Sequence, residues 1–231
     1  VDQDNALTFA KGFPYNGSHR HLSHAMAIHP LGLLDWSRGD QDQKVIQATL
    51  DKIESYGPDY WTGYTYSWFA LMQARALNGD KATQYLRDFA NHFCLSNTFH
   101  VNGDQTNSGK SQFTYRPFTL EGNFAFASGV QEMLLQSHAG YIAVFPAISS
   151  SWNEASFTNL RAIGAFLVSA KLEQGKVSEV KIISEKGNAI RLKSPFSTSK
   201  VSVNGHELTV GSTGFIEINT QEGEVININS L

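Results

Sequence analysis

Cysteine, basic charge and long apolar runs are all scarce in this sequence. Cys94 is the only cysteine among 231 residues, which excludes an internal disulfide and a cysteine-based zinc site. Lys and Arg number 18 against 21 Asp and Glu, so the net charge of −3 gives no basic face for nucleic acid. No run approaches 18 consecutive apolar residues, so we expect no membrane insertion. The length suits one large domain or two modest ones, each with a real core.

The hydropathy pattern changes near residue 140 from a helical period to a strand period. Up to that point, apolar residues recur at the three- and four-residue spacing of amphipathic helices. The pattern predicts about six helices, and the recognisable ones span 18–28, 40–55, 64–78, 81–93 and 123–137. Pro30 is expected to stop the first of them, and Gly79 to follow the end of the third as its C-terminal glycine.

Beyond Gly140, apolar and polar residues alternate, as they do in half-buried strands. The alternating segments lie at 166–170, 180–183, 189–192, 200–203, 215–218 and 225–228. Between two of them, Asn204-Gly205 is a strong signal for a hairpin turn. The predicted fold class is therefore multi-domain, α then β, with a helical domain over 1–139 and an antiparallel β-sandwich over 140–231.

Histidine is concentrated in one short segment, His19-Arg20-His21-Leu22-Ser23-His24, with His29 beyond it. A helical zinc site favours histidines four apart and a nearby carboxylate, whereas these spacings are two, three and five and the segment contains no acid. We therefore expect neither a metal nor another cofactor. Arg20 and His21 instead suit recognition of hydroxyls and carboxylates by fixed donors. The alternative is that the histidines hydrogen-bond the backbone inside a helical bundle.

Glu121 is the acidic residue of the segment 117–124, where it stands among Phe118, Leu120 and Phe124. A carboxylate in such surroundings is costly to desolvate unless it takes part in chemistry or is paired. It is therefore a candidate catalytic residue, and an ion pair with Arg20 or Arg116 is the structural alternative. Asn123 is placed to cap the helix that follows.

Aromatic side chains are concentrated in the first 140 residues, which hold 20 of the 27. Most are expected to pack in the core, because large helices need large core residues. Aromatic residues in loops are better binding candidates, and Tyr60, Trp61 and Tyr115 are of this kind. Their faces can stack on the apolar faces of sugar rings.

These segments together resemble glycoside hydrolase family 95, the α-L-fucosidase family. The run 19–24 matches the family's H-R-H-L-S-H pattern, and residues 62–68 are similar to its T-G-W-S-x-x-W helix start. Further similar segments follow in the family's order at 74–80, 121–124, 132–138, 146–147 and 164–166. The resemblance covers roughly residues 19–170, and its motifs are specific for the family when taken together in their order.

The resemblance implies the (α/α)6 barrel of that family, followed by its β domain. A complete barrel needs about twelve helices, so about six imply a C-terminal part of the barrel plus the trailing domain. The catalytic acid and an assisting asparagine are then expected upstream of Val1. Expected partners are an oligosaccharide or glycan substrate and the N-terminal remainder of the same enzyme, with a secreted or periplasmic location in a bacterium.

The resemblance also implies inverting hydrolysis of terminal α-L-fucosyl linkages, in which an acid and a base leave room for a water molecule. Glu121 matches the family's aspartate that assists the base, so it is expected to orient or activate that water. Arg20 and His21 match a pair that binds the sugar near the cleaved bond. Substrate-binding roles are expected for Arg20, His21, Asn123, Trp61 and Tyr64.

Two positions depart from the family's pattern. Glu121 replaces an aspartate, which moves the carboxylate by about 1–1.5 Å relative to its backbone. Ala125 replaces a glycine and would crowd a close backbone approach. These departures leave open a different sugar on the same scaffold, such as an α-L-galactoside, and a catalytically inactive carbohydrate-binding module. The isolated 231-residue chain is expected to be inactive.

Overall fold

The computed structural model describes all 231 residues and divides the chain after Met133 into a mainly helical unit and a β-rich unit. The helices are α1 (Asp40–Ser55), α2 (Gly63–Arg75), α3 (Gly79–His92) and α4 (Glu121–Leu134). The N-terminal region holds a ribbon of β1 (Thr8–Ala10) and β2 (Phe13–Pro14) and two 3-10 segments, Ser23–Ala27 and Trp36–Arg38. None of the helices combines the length and apolar character needed to cross a bilayer.

Helix α2 lies in the core of the helical unit, since eleven of its thirteen residues are buried. Its first turn is closed by the Thr62 N–H, which donates to Thr65 Oγ1 at 3.2 Å. Helix α1 buries only one stripe, including Ile46, Leu50 and Ile53, and these residues join the same core. The helices predicted at 40–55, 64–78, 81–93 and 123–137 are confirmed, with ends that differ by three residues or fewer.

The expected number of about six helices is wrong, because only four α-helices form. The segment 18–28, predicted as a helix, contains only the short 3-10 turn Ser23–Ala27. Its polar groups bond to distant parts of the chain. Ser18 Oγ donates to the Gly57 carbonyl at 2.8 Å, and the Arg20 carbonyl accepts from Thr65 Oγ1 at 3.0 Å. The Arg20 carbonyl therefore accepts a tertiary hydrogen bond in place of the local one that a helix would give it.

Helix α2 also ends differently from the prediction, because Gly79 does not follow it as the helix-ending glycine. Leu77 instead adopts the left-handed conformation, with φ of 57°, and the Asn78 N–H donates back to the Gln73 carbonyl at 2.9 Å. Asn78 then caps α3 through its Oδ1, which accepts from the Lys81 N–H at 3.3 Å. Gly79 is the first residue of α3.

The β-rich unit is built around one six-stranded antiparallel sheet. The unit as a whole has ten strands: β3 (Leu135–Gln136), β4 (Ala143–Val144), β5 (Ala155–Ala162), β6 (Phe166–Glu173), β7 (Lys176–Ser184), β8 (Ile190–Lys193), β9 (Lys200–Val203), β10 (His206–Thr209), β11 (Phe215–Ile218) and β12 (Glu224–Ser230). The large sheet has the order β10-β9-β12-β7-β6-β5, and β11-β8 and β3-β4 form separate pairs. The predicted change from helices to antiparallel strands is confirmed.

The alternating pattern gives this sheet one continuous apolar face. Val168 lies opposite Ile182 in β7, and Ile182 lies opposite Ile226 in β12, with all three side chains almost fully buried. The hairpin predicted at Asn204-Gly205 is confirmed. Both residues have positive φ, at 49° and 85°, as a two-residue turn between β9 and β10 requires. The finer predictions, a β-sandwich and a partial (α/α)6 barrel, stay predictions.

Candidate active site

Two helices begin against opposite sides of one buried ring, the imidazole of His100. A Cβ atom on Gly63, at the start of α2, would lie well under 3.0 Å from Nε2 of that ring. A Cβ atom on Gly122, the second residue of α4, would lie equally close to Nδ1. Only glycine allows both approaches without displacing the ring. The same close approach to the His100 ring therefore explains why the segments 62–68 and 121–124 each contain a glycine.

His100 is fully buried and is held in one orientation by hydrogen bonds. Its Nδ1 donates to the Thr119 carbonyl at 2.6 Å, while Thr119 Oγ1 donates to Asn102 Oδ1 at 2.9 Å. Burial lowers the pKa of His100, although the Thr119 carbonyl and the charge of Glu121 oppose that shift. Nε2 has no hydrogen-bond partner. The ring is therefore a neutral spacer between the two helix starts at neutral pH.

Glu121 is exposed at the first position of α4. The expectation of an apolar, desolvated setting is wrong, because its apolar neighbours in sequence are themselves exposed. The side chains of Phe118, Leu120 and Phe124 are 51%, 41% and 66% exposed to solvent. The carboxylate therefore remains open to water and to ligands.

The carboxylate of Glu121 acts electrostatically on the start of α2. Burial raises the pKa of Tyr64, the second residue of that helix, and the charge of Glu121 raises it further. The alternative role of Glu121 as an ion-pair partner is not found, since neither Arg20 nor Arg116 places a nitrogen within 4.0 Å of it. The structure thus brings Glu121 and Tyr64 into one neighbourhood.

The main chain of Arg20 is fixed to the same end of α2, through the hydrogen bond that its carbonyl accepts from Thr65 Oγ1. The guanidinium carbon of Arg20 lies 5.8 Å from the centre of the Phe113 ring. His21 is exposed, and its N–H donates to His19 Nδ1 at 3.0 Å. Desolvation, followed by the neighbouring charges of Arg20 and His19, lowers the pKa of His21. Both side chains keep donors that a ligand can use.

His24 lies apart from these two residues, inside the helical core. Its ring stacks on Tyr15 with a centroid distance of 4.9 Å and contacts the ring of Phe9 at 4.6 Å. Burial, together with the charge of His19, lowers the pKa of His24 to about 4. His24 therefore packs as an aromatic ring. It is buried, but neither ring nitrogen makes the backbone hydrogen bond that the structural alternative predicted. No group of three His, Cys, Asp or Glu side chains is arranged to hold a metal ion.

Of the two aromatic residues expected to wall the pocket, only Tyr64 is accessible. Tyr64 is half-buried and its ring lies 5.9 Å from that of Trp68. The prediction for Trp61 is wrong, because its side chain is only 2% exposed. Trp61 packs edge-on against Tyr66 and Phe69, so its ring is part of the core.

Asn123 uses both ends of its side-chain amide within the chain. Its Oδ1 accepts from the His100 N–H at 3.0 Å, and its Nδ2 donates to the Thr98 carbonyl at 2.9 Å. The expected cap is also wrong, since α4 begins two residues earlier, at Glu121. The amide fixes the loop that carries His100, so its Oδ1 and one of its two Nδ2 hydrogens are engaged within the chain.

Sequence reasoning missed two arrangements that place these side chains. The first is His100, a single histidine in a loop, for which one sequence offers no signal beyond the two glycines. The second joins α2 to α4: Arg75 donates from Nε and Nη2 to the two carboxylate oxygens of Glu132, both at 2.8 Å. Both residues lie in segments that resembled the family, and their contact shows that those segments serve the fold.

Comparison with known families identifies the class of protein. The model of the glycosyl hydrolase family 95 catalytic domain matches residues 14–134, and that of the family's C-terminal domain matches residues 136–228. Together they account for most of the chain, which therefore belongs to glycoside hydrolase family 95.

A curated relative is similar over much of the chain. Alpha-L-fucosidase 2 from Arabidopsis thaliana is 30% identical over 169 residues, which cover 72% of this chain. Those residues make up only 19% of the relative, so the chain spans about a fifth of its length. A solved family 39 glycoside hydrolase from Bacteroides cellulosilyticus WH2 aligns with 74% of this chain and 32% of its own. Its identity is 16% and its TM-score 0.26, too low to show a shared fold.

Proposed function

We propose that the complete protein containing this chain hydrolyses terminal α-L-fucosyl linkages of glycans with inversion. Membership of family 95 and similarity to a protein named as an α-L-fucosidase support this proposal. The single observation that carries it is the pairing of two helix starts around His100. That pairing places Glu121, whose carboxylate is exposed, near enough to Tyr64 for its charge to raise the pKa of the phenol.

In this proposal Glu121 accepts a hydrogen bond from the attacking water and orients it toward the anomeric carbon. Arg20 and His21 hold hydroxyl groups of the sugar, and Tyr64 forms part of the pocket wall. The general acid that protonates the leaving oxygen belongs to a part of the protein outside these 231 residues. Inversion requires these two functions to act from opposite sides of the sugar. A partial (α/α)6 barrel, a β-sandwich and a secreted or periplasmic location are parts of the same proposal.

The test is hydrolysis of an aryl α-L-fucoside by the complete gene product, with the first-formed anomer of fucose observed by NMR. Glu121→Gln should lower kcat by about 10²–10⁴-fold, the range for loss of a positioned acid or base. Glu179→Gln, which removes an exposed carboxylate of the β-rich unit, is the matched control and should retain activity. Release of the retained anomer, or full activity of Glu121→Gln, would contradict the proposal.

One observation favours a second candidate, a protein that binds fucosylated glycans without cleaving them. Glu121 is one methylene longer than the residue expected there, and such a displacement can cost orders of magnitude in rate. Calorimetry with a fucosylated oligosaccharide alongside the activity assay separates binding from turnover. Including an aryl α-L-galactoside tests the related possibility of a different sugar.

A further inference from the structure

Three aromatic rings lie side by side next to Arg20, outside the residues assigned above. The ring of Phe113 lies 5.9 Å from that of Tyr60 and 5.3 Å from that of Tyr115. The two tyrosine rings are inclined to it by 61° and 64°. We call Tyr60, Phe113 and Tyr115 the aromatic row.

The aromatic row is open to solvent although its rings are large and apolar. Tyr60 is 48% exposed and Tyr115 41% exposed, while Phe113 between them is half-buried. Neighbouring exposed aromatic rings form a surface suited to a ligand with an apolar face. The hydroxyl groups of the two tyrosines add hydrogen-bonding capacity at its ends.

Hydrogen bonds between two loops fix the backbone of the row in advance of any ligand. The Gln112 N–H donates to the Asp59 carbonyl at 2.8 Å, and Ser111 Oγ donates to the Trp61 carbonyl at 2.7 Å. The Tyr60 N–H donates to Ser18 Oγ at 3.0 Å, which ties the row to the segment that carries Arg20. A preformed surface loses less entropy on binding than one that must be ordered by the ligand.

The position of Arg20 connects the row to the proposed reaction. Its guanidinium lies 5.8 Å from the centre of Phe113, the middle ring. Under the proposed function, on which this inference rests, Arg20 binds the sugar near the cleaved bond. The terminal sugar needs an enclosing pocket, whereas the leaving part of a glycan continues toward solvent. An open row of rings beside Arg20 therefore suits the leaving part.

We propose that the aromatic row binds the leaving-group side of the substrate, by stacking against the pyranose ring next to the terminal fucose. The substrate class is then an oligosaccharide whose penultimate unit is a pyranose, rather than a fucoside of arbitrary aglycone. C–H groups on one face of a pyranose carry partial positive charge and are attracted to the negative face of an aromatic ring. Arg20 contributes a charged donor at the junction of the two sugars.

The test compares two substrates that share fucose and differ in the leaving group, using the complete gene product. One is a trisaccharide with α-L-fucose attached to lactose, and the other is α-L-fucosyl fluoride, which has no second sugar. Tyr60→Ala and Tyr115→Ala should each lower kcat/KM for the trisaccharide by about 10-fold more than for the fluoride, as the loss of one stacking contact predicts. The corresponding Phe variants keep the ring and should stay within about twofold of the unmodified protein in this ratio.

Tyr56→Ala is the matched control. Tyr56 is 41% exposed, like Tyr115, but its ring contacts Tyr15 and not the row. It should leave the ratio of the two substrates unchanged. Equal losses on both substrates, an unchanged ratio in the alanine variants, or Phe variants as defective as the alanine ones would overturn the inference. An unchanged ratio would show that the row does not contact the leaving group.

If the proposed function itself is wrong, the same assays give a different result. In that case the unmodified protein does not hydrolyse even the fluoride. Binding of the trisaccharide to the same variants, followed by ligand-observed NMR, then tests the row directly. Weaker binding in the two alanine variants, but not in Tyr56→Ala, would support the row as a sugar-binding surface. Equal binding in all three would refute it.

Discussion

The α-carbon of Gly122 lies so close to the ring of His100 that a methyl group there would overlap Nδ1. Gly63 bears the same relationship to the other ring nitrogen, so one side chain sets the separation between the starts of α2 and α4. Because Tyr64 and Glu121 are adjacent to these glycines, their mutual position depends on a fully buried ring and on two residues without side chains.

Gly122→Ala should therefore destabilise the helical unit by about 1–3 kcal/mol, the usual cost of overpacking, even though alanine favours helices. Urea denaturation of the 231-residue chain gives the free energy of unfolding. Gly17→Ala is the control, since a Cβ there meets no atom within 4 Å and Gly17 does not have positive φ. If the two variants were equally stable, His100 would not be a fixed spacer.

The ion pair between Arg75 and Glu132 should contribute strongly to the stability of the helical unit. Arg75 is 9% and Glu132 18% exposed, so removing the guanidinium takes two charge-assisted hydrogen bonds from a mostly buried carboxylate. Arg75→Met should lower the free energy of unfolding by about 3 kcal/mol. Lys186→Met removes a pair whose side chains are 65% and 68% exposed, and it should cost less than about 1 kcal/mol. A similar loss in both variants would contradict this assignment.

Acid should destabilise the helical unit through His24. Its pKa of about 4 in the folded protein lies below the ordinary value of 6.5, so the unfolded chain takes up the proton first. The free energy of unfolding should therefore fall as pH decreases from about 6.5 to about 4, by roughly 2–3 kcal/mol from this group. His24→Phe should lose that part of the pH dependence, measured by urea denaturation at several pH values. His206→Phe, at an exposed histidine, should retain it.

The isolated 231-residue chain should fold and yet release no fucose from an aryl α-L-fucoside. It holds Glu121 and Arg20, but in our proposal the group that protonates the leaving oxygen lies elsewhere in the protein. The complete gene product, assayed in parallel, is the positive control. Turnover by the isolated chain would show that one of its own residues serves as the general acid.

The sequence predicted those parts of the fold whose signals are local. The apolar stripe of α1 and the Asn204-Gly205 turn need only their own periodicity and backbone preferences, and both formed as expected. The helix expected at 18–28 did not form, and the Arg20 carbonyl accepts a hydrogen bond from Thr65, 45 residues further along the chain. The prediction that Trp61 binds substrate failed for a related reason, since a side chain in a loop can still point into the core.

By itself, the sequence determined the order of helices and strands and the family to which the chain belongs, because both depend on patterns of neighbouring residues. Only the tertiary structure decided which side chains share the candidate site. It left Glu121 exposed, engaged the amide of Asn123 in two hydrogen bonds and placed a buried His100 between two helix starts. These outcomes depend on packing between segments distant in sequence, and the local spacing of residues along the chain does not show which distant segments will meet.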